Sequence, residues 1–313
     1  MSAVPAGLAA RTATITLPFA ADVRLTLGVQ GRGNGDPTFR VDDAGAVWRT
    51  SLTPDGPGTI RVLPAAPDGG VTARAWGPGA DWLLGALPAA LGMYDDISGF
   101  DPSGHPVLRE AARRHPGLRV GRSGRLLEAL VPAILEQKVV SLEAHRAWKI
   151  LLARYGTAPP GPAPAGMRVF PPPRTWRAIP SWHWHRAGVE GVRAQTIAAA
   201  AAVAGRLERL LDRPAAEAAR QLRTIDGIGP WTAAETLQRA AGDPDAVSVG
   251  DYHLPAVVGW TLARLQNTDD AAMLELLEPY RGHRYRVTRL VELAGSRPPR
   301  RGPRLAARDY RRW

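Results

Sequence analysis

The stretch that most constrains the fold is residues 222–251, which read LRTIDGIGPWTAAETLQRAAGDPDAVSVGD. The pattern predicts the end of one helix, a tight glycine turn, a second helix, a short loop and a lone carboxylate. Gly227 and Gly229 have no side chains, so the turn can approach another surface closely, and Ile228 between them can enter the core. Pro230 suits the first position of the second helix. The free N–H groups at that helix start predict a site for a phosphate anion.

A turn of this kind can also join two helices and bind nothing, and a bare G-x-G pattern does not separate the two interpretations. The longer match is more specific. The segments LRTIDGIGPWTA and GDPDAVSVGDYHLP resemble the hairpin and the catalytic loop of the helix-hairpin-helix DNA glycosylase superfamily, most closely its 3-methyladenine DNA glycosylase II branch. The resemblance covers about Arg109 to Ala294. It implies DNA-backbone contacts at Gly227, Ile228, Gly229 and Thr232.

Charge is distributed unevenly along the 313 residues. The formal net charge is +11, and residues 1–100 contain seven Arg against nine Asp, so residues 101–313 carry +13. This excess indicates an anionic partner for the second part of the chain. All basic residues except Lys138 and Lys149 are Arg, which suits bidentate phosphate contacts but equally fits a genomic codon bias. Because the chain has no cysteine, disulfides, thiolate zinc sites and cysteine-ligated iron–sulfur clusters are excluded.

The predicted fold class is mixed: a strand-rich α/β N-terminal domain followed by a mainly α-helical helix-hairpin-helix glycosylase body. Residues 1–98 contain six short alternating segments, including DVRLTLGV at 22–29, and one helical pattern, which predict an antiparallel sheet with a helix against it. Residues 99–295 have helical spacing of apolar residues. The resemblance implies two helical subdomains there, with the base pocket between them. Residues 296–313 predict a basic, mobile, solvated tail, with a phosphate-binding arm as the alternative.

Two segments of the helical region receive specific predictions. The Pro- and Gly-rich run at 156–176 predicts a surface connection without helix, whereas residues 124–156 predict one long helix. Within that helix, AILEQKVVS at 133–141 resembles the family segment that lies against the minor groove. The resemblance implies that Lys138 fills the gap left by a rotated nucleotide, and it makes Gln137, Lys138 and Ser141 DNA contacts. Without the resemblance, Gln137 and Lys138 are simply a polar helix face.

Cleavage of an N-glycosidic bond leaves positive charge on the sugar, so a nearby carboxylate stabilises the transition state. The resemblance implies this role for Asp251, although Asp before a helix is also a common N-cap and both roles can coexist. It also places Trp231 and Tyr252 beside the flipped base, where an aromatic face suits a cationic alkylated purine. Trp231 is alternatively helix core. Glu235, one turn further along the same face, either favours cationic lesions or points to solvent.

The predicted function is base excision DNA repair. Lyase activity needs an amine nucleophile, which the bifunctional branch of the resembled family places just after the hairpin glycines. Trp231 occupies that position here. The resemblance therefore implies a monofunctional DNA-3-methyladenine glycosylase that flips alkylated purines out of duplex DNA and hydrolyses the N-glycosidic bond. A non-enzymatic helix-hairpin-helix DNA-binding protein is the alternative.

No cofactor is expected to be required. The resemblance implies a structural Na+ or K+ at the main-chain carbonyls of Arg223, Ile225 and Ile228. No metal held by side chains is expected, because His183 and His185 lack a third ligand in the sequence. The expected partner is damaged double-stranded DNA, and the expected state is a monomer away from membranes. The absence of a signal peptide and of a long apolar run indicates a cytoplasmic, nucleoid-associated protein.

Overall fold

The computed structural model describes residues 9–299, so most of the predicted tail lies outside the described residues. The first part of the chain contains a five-stranded sheet. Its strands are β1 (Arg11–Thr16), β2 (Phe39–Val41), β3 (Val47–Thr53), β4 (Gly56–Val62) and β5 (Gly70–Trp76). Neighbouring strands are antiparallel in the order β1-β5-β4-β3-β2, which confirms the predicted sheet.

The segment at 22–29 was expected to be a strand, and this prediction is wrong. It forms helix α1 (Val23–Leu27), followed by a 3-10 turn. Asp22 caps the helix, since its side chain accepts a hydrogen bond from the main-chain N–H of Leu25 at 2.8 Å. The buried residues Val23, Thr26 and Leu27 are three and four positions apart, as on one helix face. The cap and this packing outweigh the alternating pattern that favoured a strand.

Helix α2 (Ala80–Ala90) packs on the sheet, as the sequence predicts. Leu83 and Leu87 lie in a core cluster with the inward-facing strand residues Val47, Val62 and Val71. Alternation along the strands supplies one apolar face, and the helix covers it. The positions of the cluster residues range from Leu17 to Leu91.

Twelve further α-helices follow in the described part of the chain. They are α3 (Pro106–Arg114), α4 (Leu126–Leu135), α5 (Ser141–Tyr155), α6 (Pro173–Ala178), α7 (Ser181–Ala187), α8 (Gly191–Ala202), α9 (Ala204–Glu208), α10 (Ala215–Leu222), α11 (Pro230–Ala240), α12 (Leu254–Ala263), α13 (Asp270–Leu277) and α14 (Arg284–Leu293). Within residues 9–299, no helix is long and apolar enough to cross a membrane.

The apolar faces of these helices form two large core clusters. One runs from Leu126 to Ala240 and includes Ile228 of the glycine turn. The other joins Leu108 and Leu118 to residues of α12, α13 and α14. The chain therefore leaves the second cluster after α3, builds the first, and returns to the second. The predicted boundaries at 98 and 295 stay predictions.

The single long helix expected at 124–156 is two helices. A loop at 136–140 separates α4 from α5, and Lys138 in this loop has φ +53°, in the left-handed region that ends a helix. Gln137 and Lys138 are therefore loop residues, so the interpretation as a polar helix face is wrong. Glu136 and Gln137 form hydrogen bonds to residues distant in sequence, and these bonds stabilise the loop where a helix would otherwise continue.

The run at 156–176 also differs from its prediction. Met167, Val169 and Phe170 are buried, and α6 begins within the run at Pro173. The Phe170 ring packs against the Trp176 ring with centroids 5.3 Å apart. The prolines exclude regular helix over most of the run, but its apolar residues are still buried in the protein interior.

Candidate active site

The predicted helix-hairpin-helix is present, and its two glycines have different roles. α10 ends at Leu222 and α11 begins at Pro230. Gly227 has φ +86°, and a Cβ there would lie 2.1 Å from Oγ1 of Thr196, so the fold itself requires glycine. Gly229 has φ −93°, and an added Cβ would have no heavy atom within 4 Å. The open side of the turn is therefore at Gly229, which directly precedes the free N–H groups of α11.

The loop between α4 and α5 is joined to this turn. The side-chain amide of Gln137 donates to the carbonyl oxygen of Gly227 and to Oγ1 of Thr232, both at 2.8 Å. Thr232 is buried, and its hydroxyl accepts this hydrogen bond from Gln137, so its predicted contact with DNA stays a prediction. Lys138 and Ser141 are exposed beside it. The structure thus brings the predicted DNA contacts of the loop next to those of the hairpin.

A cavity of about 240 Å³ opens near the start of α12. Four parts of the chain line it: the segment at 28–31 that follows α1, helix α11 with its following loop, the start of α12, and helix α14 with the residues just after it. Asp251 and Glu235, which the sequence predicted as site residues, both lie on its wall. The cavity therefore collects residues that are more than 200 positions apart in the chain.

Asp251 is held at this cavity by both carboxylate oxygens. Oδ1 accepts hydrogen bonds from the main-chain N–H groups of His253 and Leu254, both at 2.8 Å, which is a capping arrangement at the start of α12. Oδ2 accepts a hydrogen bond from the indole N–H of Trp231 at 3.1 Å. The cap and a fixed position on the cavity wall coexist in the same side chain.

Neither aromatic residue that the resemblance places beside the flipped base, Trp231 or Tyr252, lines this cavity, and their contact with a flipped base stays a prediction. The Tyr252 side chain is 78% exposed and does not line the cavity; its ring packs edge-on against His253, with centroids 4.8 Å apart. Trp231 is partly buried and contacts the site through its hydrogen bond to Asp251. Because the Asp251 cap fixes the chain direction into α12, the next residue turns outward.

Glu235 lines the cavity, but it is neither solvent-exposed nor unpaired. Its carboxylate lies 2.7 Å from Nη1 of Arg239 and accepts a hydrogen bond from Oγ of Ser248 at 2.6 Å. Nε of Arg239 in turn donates to the carbonyl oxygen of Val29 at 2.9 Å. Burial lowers the pKa of Arg239, but Glu235, Tyr285 and Glu136 together outweigh burial, so the net shift of the pKa is upward. The Arg239 guanidinium therefore keeps its positive charge next to the Glu235 carboxylate.

Several cavity residues were missed in the sequence, among them Val29, Gln238, Arg239, Ser248 and Tyr285. One signal was available, because Glu235 and Arg239 are four positions apart on a helix and so able to pair. No local pattern points to the others.

The predicted cation position lies at the hairpin. There the carbonyl oxygen of Ile225 accepts a hydrogen bond from the main-chain N–H of Ile228 at 3.0 Å. The Na+ or K+ at Arg223, Ile225 and Ile228 stays a prediction. Among residues 9–299, no three His, Asp or Glu side chains are grouped as metal ligands.

Comparison with solved structures identifies the architecture. A 3-methyladenine DNA glycosylase from Archaeoglobus fulgidus superposes with a TM-score of 0.75 and 18% identity, over 90% of this chain and 98% of that one. An 8-oxoguanine glycosylase/lyase from Clostridium acetobutylicum in its apo form superposes with a TM-score of 0.69 and 11% identity, over 92% and 99%. The chain has the helix-hairpin-helix DNA glycosylase fold. The resemblance stated from the sequence is thereby confirmed.

Sequence comparison adds a partial match for this glycosylase fold. Curated proteins from two strains of Mycobacterium tuberculosis, "Probable bifunctional transcriptional activator/DNA repair enzyme AlkA", are 32% identical over 151 residues. The match covers 48% of this chain and 30% of those proteins, so it spans less than a third of their length. No protein-family model matches the chain.

Proposed function

We propose that this chain is a DNA glycosylase of base excision repair that hydrolyses the N-glycosidic bond of alkylated purines, the reaction of the 3-methyladenine type, in duplex DNA. The observation that carries the proposal is the Asp251 carboxylate, fixed on a cavity wall within the helix-hairpin-helix glycosylase fold. The cavity of about 240 Å³ is the candidate receptor for the flipped base.

In this mechanism Asp251 faces the sugar of the flipped nucleotide. Two main-chain donors orient Oδ1 and the Trp231 indole orients Oδ2, so the carboxylate needs little reorganisation as charge develops. Its negative charge stabilises the oxocarbenium-like sugar, and one oxygen accepts a proton from the attacking water. The products are an abasic site and a free base.

DNA binding is assigned to the hairpin and the adjacent loop. The open backbone at Gly229 and the N–H groups at the start of α11 suit a phosphate. Lys138, exposed and held with φ +53°, stands on the neighbouring loop, where its side chain can fill the gap left by the flipped nucleotide. A monovalent cation at the hairpin carbonyls is part of the same proposal.

Hydrolysis without strand cleavage is proposed because no lysine lines the cavity in the part of the chain that the structure describes. The chain has two lysines, Lys138 and Lys149, and neither lines the cavity. Lys149 lies beside Gly35 on the N-terminal part of the chain. Trp231 occupies the position after the hairpin where a lyase would carry its lysine.

The test is incubation of the protein with methylated duplex DNA, followed by chromatography of the released bases. We expect methylated purines in the supernatant, strand breaks only after alkali or heat, and no adduct trapped by borohydride. A robust trapped adduct contradicts hydrolysis alone. Tight DNA binding without any released base supports the alternative, a non-enzymatic DNA-binding protein. The observation that favours this alternative is that the Glu235–Arg239 pair, and neither Trp231 nor Tyr252, lies on the cavity wall.

A further inference from the structure

A chain of hydrogen bonds fixes the polar groups on one wall of the cavity. The side-chain amide nitrogen of Gln238 donates to the carbonyl oxygen of Ala246 at 2.8 Å and to Oγ of Ser248 at 2.9 Å. Ser248 donates its single proton to Glu235, and Glu235 accepts from Arg239. Because the Ala246 carbonyl can only accept, the amide of Gln238 has one orientation.

This network leaves two groups unused. Nε and Nη1 of Arg239 donate to Val29 and Glu235, but within residues 9–299 no group accepts from Nη2. Both protons of the Gln238 amide are used, whereas its carbonyl oxygen Oε1 has no donor in the same part of the chain. Both residues line the cavity. The wall therefore offers a cationic donor and a neutral acceptor, each on a side chain that cannot turn away.

We propose that Arg239 and Gln238 select purines that carry a 6-oxo group. The guanidinium Nη2 donates to O6, and Oε1 of Gln238 accepts from the adjacent N1–H. A guanidinium on O6 is also the contact by which arginine most often reads guanine in duplex DNA. The inference rests on the proposed function for the identity of the cavity, and it narrows the class of base.

A 6-aminopurine fits this wall less well. Its amino group would place N–H against the N–H of Arg239, and its N1, which carries no hydrogen, would face the Gln238 oxygen. Charge does not separate the two alkylated purines, because 7-methylguanine and 3-methyladenine are both cationic in DNA; the hydrogen-bond pattern does. Among alkylated purines the wall therefore favours 7-methylguanine over 3-methyladenine, and among uncharged purines hypoxanthine over adenine.

The first experiment measures binding without chemistry. The Asp251→Asn protein is titrated into two duplexes, one with a single hypoxanthine and one with a single adenine. In each duplex a tetrahydrofuran abasic analogue lies opposite the base, so neither base is paired. We expect the hypoxanthine duplex to bind about tenfold more tightly, and Arg239→Lys in the same background to reduce the preference to about twofold or less. Lysine keeps the charge beside Glu235 but lacks the second amino group. Arg61→Lys, at an ion pair with Asp42 outside the cavity, is the matched control and keeps the preference.

Thermal unfolding shows whether Arg239→Lys is folded. If it is not, Gln238→Met removes the acceptor independently, and the same loss of preference is expected. The second experiment compares 7-methylguanine and 3-methyladenine released from methylated DNA by the parent protein, where we expect 7-methylguanine to be released faster.

The outcomes separate this proposal from the proposed function. A hypoxanthine preference that depends on Arg239, with no base released from methylated DNA, supports the selection and contradicts the excision. If base is released from methylated DNA, three binding results overturn the selection alone. They are equal binding of the two duplexes, tighter binding of the adenine duplex, and a hypoxanthine preference that is unchanged in folded Arg239→Lys and Gln238→Met proteins.

Discussion

At the scale of single residues, Asp251 caps a helix and is also the proposed catalytic carboxylate. Oδ1 holds the start of α12, and Oδ2 meets only the Trp231 indole among the described residues. A helix cap would hold a catalytic carboxylate in one orientation, because the main-chain donors cannot rotate away. The cap therefore supports the catalytic interpretation and does not compete with it.

The Asp251→Asn substitution tests this dual role. Asn accepts capping hydrogen bonds about as well as Asp, so we expect a change of at most about 1 kcal/mol in the free energy of unfolding. The negative charge is lost, so the single-turnover excision rate is expected to fall by roughly a hundredfold or more while affinity for lesion DNA is retained. Unfolding, binding and excision are measured on the same protein.

Asp269→Asn is the matched control for Asp251→Asn. Asp269 caps α13 by accepting from the main-chain N–H of Ala272 at 2.9 Å, and it does not line the cavity. It should change neither rate nor affinity. If the Asp251→Asn protein excises methylated purines as fast as the parent, Asp251 is a cap only.

Glu136 is a second residue whose environment has a measurable consequence. Burial raises its pKa, but Arg32 at 2.9 Å, His145 and Arg239 together outweigh burial and lower the pKa to about 2. A carboxylate with a depressed pKa stabilises the folded state above its unfolded value near 4.5, and this stabilisation is lost as the pH falls toward 2. The shift corresponds to about 3 kcal/mol.

We therefore expect Glu136→Gln to lower the free energy of unfolding by about 3 kcal/mol at pH 6. The difference from the parent should shrink as the pH falls to 3, because the unfolded carboxyl binds a proton below about pH 4.5 and part of the linked stabilisation is then lost. Denaturant unfolding at both pH values measures this. A difference that is independent of pH contradicts an ionised Glu136 in the folded protein.

At the scale of elements, the glycine hairpin and the loop after α4 form one surface. Gln137 bonds to the hairpin, and Arg32 holds the neighbouring Glu136 from the N-terminal part of the chain. The loop that carries Lys138 is thus positioned from both sides. A break between α4 and α5 is the structural requirement for this, because a continuous helix would place these side chains on different faces.

Gly229→Val tests the hairpin as the phosphate contact. An added side chain at Gly229 meets no heavy atom within 4 Å of Cβ and requires no left-handed backbone, so the variant is expected to fold. It should weaken binding to undamaged duplex by about tenfold, because the branched side chain keeps a phosphate from the backbone N–H groups. Fluorescence anisotropy at constant salt measures the affinity.

Gly205→Val is the control for this hairpin variant. Gly205 is an exposed glycine of α9 whose added Cβ also meets nothing, and it should bind as the parent does. An unchanged affinity in folded Gly229→Val protein would exclude the hairpin as the main phosphate clamp.

At the scale of the whole molecule, charge separates the two parts of the chain. Residues 101–313 carry the net charge of +13, and they include the hairpin and the loop with Lys138. We expect the affinity for undamaged duplex DNA to fall by about tenfold or more between roughly 50 and 200 mM salt. The logarithm of the binding constant should fall linearly with the logarithm of the salt concentration. Titrations of one duplex at several salt concentrations test this, and binding that does not respond to salt would contradict a phosphate-dominated interface.

The cavity also exists only at the scale of the whole molecule. Val29, Glu235 and Asp251 reach it from separate elements, and Arg239 joins two of them across 210 positions of sequence. The N-terminal part of the chain is therefore a wall of the candidate site as well as a support for the helices.

The sequence by itself determined the local features of this protein. Glycine spacing located the hairpin, periodicity located most helices and the sheet, and a lone Asp before a helix located the carboxylate. These features depend on residues within a few positions of one another, where backbone preference and capping act directly. The resemblance of that stretch then led to the correct fold.

Only the tertiary structure decided what surrounds the carboxylate. The helix at 23–27, the break at 136–140, the outward turn of Tyr252 and the pairing of Glu235 with Arg239 all differ from or add to the sequence predictions. Each depends on partners distant in sequence or on the direction of the chain at a cap. Burial makes such partners obligatory, because an unpaired charge or polar group inside the protein is costly, and no local pattern encodes which distant group will satisfy it.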